Sequence, residues 1–158
     1  MAKAKEDDAT ILAADTDFQR QQAAIQRALA QYRSGQTAQA GARQLDLSNA
    51  YNTLGYNPDA NSFDVFDKQR GYAQATNAAR QNFAGRGMLR SSGYGAARAG
   101  VGKQFEEQAS NLRTGQQQFE TGQTSDLQSF EADQADTLAA AREAALRRRQ
   151  DALRAGMF

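Results

Sequence analysis

Residues 117–138 read QQFETGQTSDL followed directly by QSFEADQADTL, two eleven-residue segments. They agree at Gln117/Gln128, Phe119/Phe130, Glu120/Glu131, Gln123/Gln134 and Leu127/Leu138. Eleven residues make three helical turns at about 3.67 per turn. The repeat therefore keeps Phe119, Phe130 and Ala141 in one stripe, with Leu127 and Leu138 forming a second stripe beside it. Upstream the step is seven, through Phe105, Leu112 and Phe119. This spacing predicts one long helix from Lys103 to about Arg154, with Gly115 and Gly122 as weak points.

Towards the N-terminus, Ile11, Phe18, Ile25 and Tyr32 recur every seven residues, and Leu29 joins them one turn after Ile25. That is a narrow heptad seam rather than the broad apolar face of a globular helix. Asp7 or Asp8 is the expected N-cap and Ser34-Gly35 the expected stop. A second helical stretch over 38–54 carries Leu45, Leu47, Tyr51 and Leu54, closes at Gly55, and passes into the turn Asn57-Pro58-Asp59. The period-two patch NSFDVFD over 61–67 reads equally as a short strand or as an extended arm that packs its aromatics on a neighbour. Helical composition returns over 69–82. Gly85, Gly87, Gly93, Gly95, Gly100 and Gly102 then crowd the span 83–102, so 85–93 reads as a loop with helix resuming near Tyr94. Four segments result: an N-terminal helical segment 1–57 with a heptad seam, a turn and extended aromatic arm 58–68, a basic Gly-rich joint 69–102, and a long C-terminal helix 103–158.

Composition supports helices without a thick core. The 158 residues include 32 Ala and 20 Gln, whereas Leu, Ile, Val and Phe together number 23. That share falls below the ~20% at which a compact core becomes doubtful. High net charge, the other mark of a disordered chain, is absent at +1. The expected fold class is all-α: extended long helices joined by a Gly-rich loop, with little globular core and with order completed by assembly. Near-neutrality conceals blocks of −3 over 1–67, +7 over 68–103, −6 over 104–138 and +3 over 139–158. Such segregation suits stacking of copies or packing against another helix.

Function classes narrow by elimination. Without cysteine there is no disulfide, thiolate nucleophile, zinc ribbon or iron–sulfur cluster; without histidine the commonest general base and metal ligand are missing. No enzyme activity, cofactor or metal is expected. The longest apolar run, Thr10–Ala14, is far short of a bilayer span, and no apolar signal core follows the basic N-terminus, so synthesis in a reducing cytoplasm without export is expected. Gly100-Val101-Gly102-Lys103-Gln104 imitates the end of a phosphate-binding loop, but Ala97 stands where its first glycine belongs and Gln104 replaces the hydroxyl residue. Glu106/Glu107 and Asp133/Asp136 read as helix-surface carboxylates. Arg80, Phe83, Arg86, Arg90, Tyr94, Arg98 and Lys103, and separately Arg147-Arg148-Arg149, offer phosphate contacts and stacking to nucleic acid, yet the same side chains pair with acidic protein surfaces.

The stretch QNFAGRGMLRSSGY over Gln81–Tyr94 resembles a motif of small Gln/Ala-rich bacteriophage virion proteins of the tail or head–tail region. Those chains share an aromatic, then Arg-Gly-Leu/Met and a Ser-Gly step, then a long helix with spaced Phe and Leu. Phe83, Arg86, Gly87, Met88, Leu89, Arg90, Ser91, Ser92, Gly93 and Tyr94 lie in the motif here. Phe105, Leu112, Phe119, Leu127, Phe130 and Leu138 follow the helix pattern. The resemblance spans about 72–155, with a weaker match at Ile25–Tyr32. It implies a multi-copy structural component of the particle, in the tail or head–tail neck, packed between larger subunits and without catalysis. Implied partners are other virion proteins (portal, tail or adaptor subunits) and copies of itself, with incidental contact to packaged DNA and no membrane segment. The alternatives are an internal virion protein ejected with the genome and a basic nucleic-acid-binding packaging factor. The implied location is the virion, after synthesis in the host cytoplasm.

Overall fold

The computed structural model describes residues 11–155; the expected N-caps Asp7 and Asp8 lie outside them. The elements are α1 (Thr16–Leu54), β1 (Tyr56–Asn57), β2 (Ser62–Phe63), α2 (Gly71–Ala84) and α3 (Ser92–Arg154). Residues 11–14 are also helical, and Asp15 interrupts the run before α1. The chain is predominantly helical, with one two-stranded antiparallel hairpin that pairs Tyr56 with Phe63 and Asn57 with Ser62. No helix among the described residues is long and apolar enough to cross a membrane.

The stop expected at Ser34-Gly35 does not occur, because α1 runs through it unbroken. A mid-helix glycine costs about 1 kcal/mol relative to alanine, and here the turns on either side are tied down. Tyr32 stacks on Phe130 with ring centroids 4.3 Å apart. One turn on, Gln36 Nε2 donates to the Gln123 carbonyl at 3.0 Å, and Gln123 Nε2 returns a bond to the Gln36 carbonyl at 3.1 Å. The long C-terminal helix likewise starts at Ser92 instead of Lys103 and passes through Gly95, Gly100, Gly102, Gly115 and Gly122. The span 69–102 thus holds α2, a turn segment over 85–91 and the first turns of α3.

Two compact units divide the chain, and both cut across the four sequential segments. The described part of the first unit is residues 11–38 with 122–155. In it α1 and α3 run antiparallel, since Phe18 packs on Ala141 and Ala145 while the later Tyr32 meets the earlier Phe130. Leu12 and Leu138 complete the Phe18 cluster. Asp15 caps α1 by accepting the Phe18 amide at 2.9 Å, and Arg148 Nη2 reaches both its carboxylate oxygens at 3.0 and 2.9 Å. Arg33 pairs with Glu131 at 2.6 Å.

The second unit, Gln39–Thr121, is built on aromatic rings. Gly55 ends α1 at φ +77°, a left-handed conformation that alanine or larger residues resist. Its amide donates to the Tyr51 carbonyl at 2.9 Å. The hairpin then brings Tyr56 against Tyr51 (5.3 Å) and Phe63 (5.0 Å), and Phe63 against Tyr72 (4.7 Å) and Phe105 (6.1 Å). Ala109 and Leu112 pack on the same group, and the Arg113 guanidinium lies 5.7 Å above the Tyr56 ring. The patch 61–67 therefore splits: Phe63 enters the strand and the cluster, while Val65 and Phe66 stay exposed.

Candidate interaction surface

The segment joining α2 to α3 has a defined geometry that its residues explain one by one. Gly87 takes φ +67°. The Met88 amide donates to the Phe83 carbonyl at 2.9 Å and the Gly87 amide to the Ala84 carbonyl at 3.0 Å. That pair of crossed bonds is a Schellman stop, which uses glycine because the position is left-handed. Restart follows at once. The Ser91 amide and hydroxyl both donate to the Met88 carbonyl, at 3.0 and 2.7 Å, and Ser91 Oγ accepts the Tyr94 amide at 3.3 Å as the N-cap of α3. The rings of Phe83 and Tyr94 lie 5.7 Å apart across the turn. A Cβ on Gly93 would come within 3.3 Å of the Phe83 ring, so the missing side chain lets the helices approach there.

What this corner displays is mixed in chemistry. Met88 is 44% exposed and Leu89 39%, between exposed Arg86 and Arg90. No acidic residue occurs anywhere over 68–103. Two apolar side chains flanked by two guanidinium groups suit an apolar depression rimmed by carboxylates or carbonyls on another surface.

The remaining candidate residues divide differently. Phe105 is buried in the aromatic cluster, Leu112 packs beside it, Phe130 stacks on Tyr32, and Leu138 packs against Phe18, Ala141 and Ala145. These four make their contacts within this chain. Phe119 and Leu127 lie half-buried on the same face of α3. The Arg147-Arg148-Arg149 run is also partly committed, with Arg147 on Glu143 and Arg148 on Asp15. The Asp15–Arg148 link joins residues far apart in sequence, and neither residue's local pattern announced it. Among the described residues no cluster of carboxylates could hold a metal.

Comparison of the chain with protein-family models, with curated proteins and with solved structures finds no match in any of the three.

Proposed function

We propose that the chain is a structural component of a bacteriophage particle, placed in the tail or head–tail neck, present in several copies, packed between larger subunits and devoid of catalysis. The α2–α3 corner carries this reading. Its RGMLRSSGY sequence, which resembles the virion-protein motif, is a helix stop joined to a helix start, and the corner exposes Met88, Leu89, Arg86 and Arg90 together. A surface so ordered and so basic fits a fixed position against an acidic neighbour better than it fits turnover of a substrate. The thin helical seams suit the same role, because each unit has little interior of its own in which to enclose a reaction.

The test is made on purified particles, by mass spectrometry and by a resolved map of the tail and neck, before and after genome release. The expected result is several copies retained after release, with the Met88–Leu89 corner against a neighbouring subunit. Met88→Asp with Leu89→Asp is expected to fold, judged by circular dichroism, and to fail incorporation. Loss of the protein with the genome would favour the ejected internal protein instead. Strong, steeply salt-dependent DNA binding that the corner variant does not change would favour the packaging factor.

A further inference from the structure

Phe66 is 88% exposed, although the loop that carries it is well fixed. The amides of Phe66 and Asp67 donate to Asp64 Oδ1 at 2.8 and 3.2 Å. The Gln69 amide donates to Asp67 Oδ1 at 3.0 Å, and Arg70 Nε reaches Asp67 Oδ2 at 3.0 Å. A large apolar ring is thus held out on an ordered backbone, which reduces the entropy lost when something engages it. Lys68 beside it is exposed and forms no ion pair among the described residues.

The same unit contains a matching recess. Between α1 and α3 lies an open groove of about 490 Å³, lined mainly by apolar surface from Ala50, Thr53, Leu54, Gln108, Asn111 and Leu112. Glu107, next to Gln108 in sequence, flanks it on the Asn111 side of α3, exposed and without an ion pair among the described residues. The chain's own Phe66 does not fill this groove, because the ring is open to solvent.

We infer that Phe66 of one copy seats in the Ala50–Leu54/Gln108–Leu112 groove of a second copy, with Lys68 beside Glu107. The occupant is a second copy because one chain carries both the projecting ring with its cation and the apolar groove with a carboxylate at its flank. The contact is heterologous: each copy that gives its ring keeps a groove for the next, so association closes a ring or grows a filament. This inference goes beyond the virion reading and holds or fails without it.

Sedimentation velocity of the full chain over a range of concentrations tests it. Self-association is expected, weaker at high salt, and lowered at least about tenfold by Phe66→Ala, as for a buried aromatic anchor. Thr53→Arg, and independently Asn111→Arg, are expected to weaken it similarly from the groove side, with helical circular dichroism unchanged in all three. Phe66→Ala retains the groove and Thr53→Arg retains the ring, so a mixture of the two forms a one-to-one dimer that neither forms alone. A monomer at every concentration overturns the inference. So does association unaffected by Phe66→Ala, or association sensitive to Phe66→Ala but to neither groove substitution.

Discussion

Asp15 shows how much one side chain contributes where two helices meet. Its carboxylate caps α1 through the Phe18 amide and receives the Arg148 guanidinium. The Phe18 amide, followed by Arg148, holds its carboxyl below the ordinary carboxylate value. Asp64 is lowered as well, by the Phe66 and Asp67 amides that shape the loop under Phe66. A carboxyl with a depressed folded pKa adds stability that is present above its unfolded value and is lost as pH falls through the folded one. The melting temperature is therefore expected to hold from neutrality to about pH 4 and to fall below it. Asp15→Asn, which can still cap the helix but loses the charge that Arg148 faces, should make that acid limb shallower. Carboxyl titration by NMR checks the cause directly: a midpoint for Asp15 at or above that of an unstructured peptide would refute it.

At the scale of the element, the long helices explain why the aliphatic count is low. Along α3 one line of buried and half-buried positions steps through 105, 109, 112, 116 and 119, then 123, 127, 130, 134, 138, 141 and 145. Heptad spacing gives way to eleven-residue spacing, as the Phe119/Phe130 repeat indicated. In α1 the same change occurs after Gln36, through 40, 43, 47, 51 and 54. Leu47, Tyr51 and Leu54 of that run were legible; Gln36 and Arg43 were not, because polar side chains count as surface residues in a hydropathy pattern. Alanine permits close approach of the helix backbones, and glutamine fills the seam while bonding across it, as Gln36 and Gln123 do. Glycine was misread at Gly35 for a related reason. Its cost is local, whereas the flanking Tyr32 and Gln36 contacts come from α3 and cannot be seen in α1 alone. Replacing it tests this account. A Cβ at Gly35 or Gly122 meets nothing within 4 Å, so Gly35→Ala and Gly122→Ala should each stabilise by about 1 kcal/mol in denaturant unfolding. Gly55→Ala should do the opposite, by roughly 1–2 kcal/mol or more, since its φ is +77° and its Cβ would sit 2.9 Å from Arg70 Cβ. A loss of stability in the first two variants would mean that the helix needs those glycines for a bend or a contact.

Over the whole molecule, the helical class was legible from the scarcity of large apolar residues together with their periodicity. Which of them would be buried was not. Phe63 and Phe66 stand three residues apart in one patch, yet Phe63 joins Tyr56, Tyr72 and Phe105 while Phe66 faces solvent. The difference arises from the hairpin register and from α2 and α3 meeting it, neither of which a local pattern encodes. The division into two units was hidden too, because the first draws its described residues from both ends of the chain. The two differ in what secures them. The second unit gathers rings from α1, the hairpin, α2 and α3 around Tyr56, with Ala73 and Ala109 almost wholly buried. The first depends on a two-helix seam whose buried cluster is Phe18, Ala141 and Ala145, reinforced by exposed ion pairs such as Arg33–Glu131 that contribute little each. Local opening should follow that inequality, because the free energy of opening rises with the apolar contacts that must be broken. Hydrogen exchange followed by mass spectrometry is expected to find amides near Tyr51, Ala73 and Ala109 exchanging roughly tenfold more slowly, or better, than those near Ile25 and Leu138. Equal protection in the two units would show that the seam is as strong as the aromatic cluster, and that a thin line of alanine, glutamine and spaced aromatics suffices to hold helices of this length.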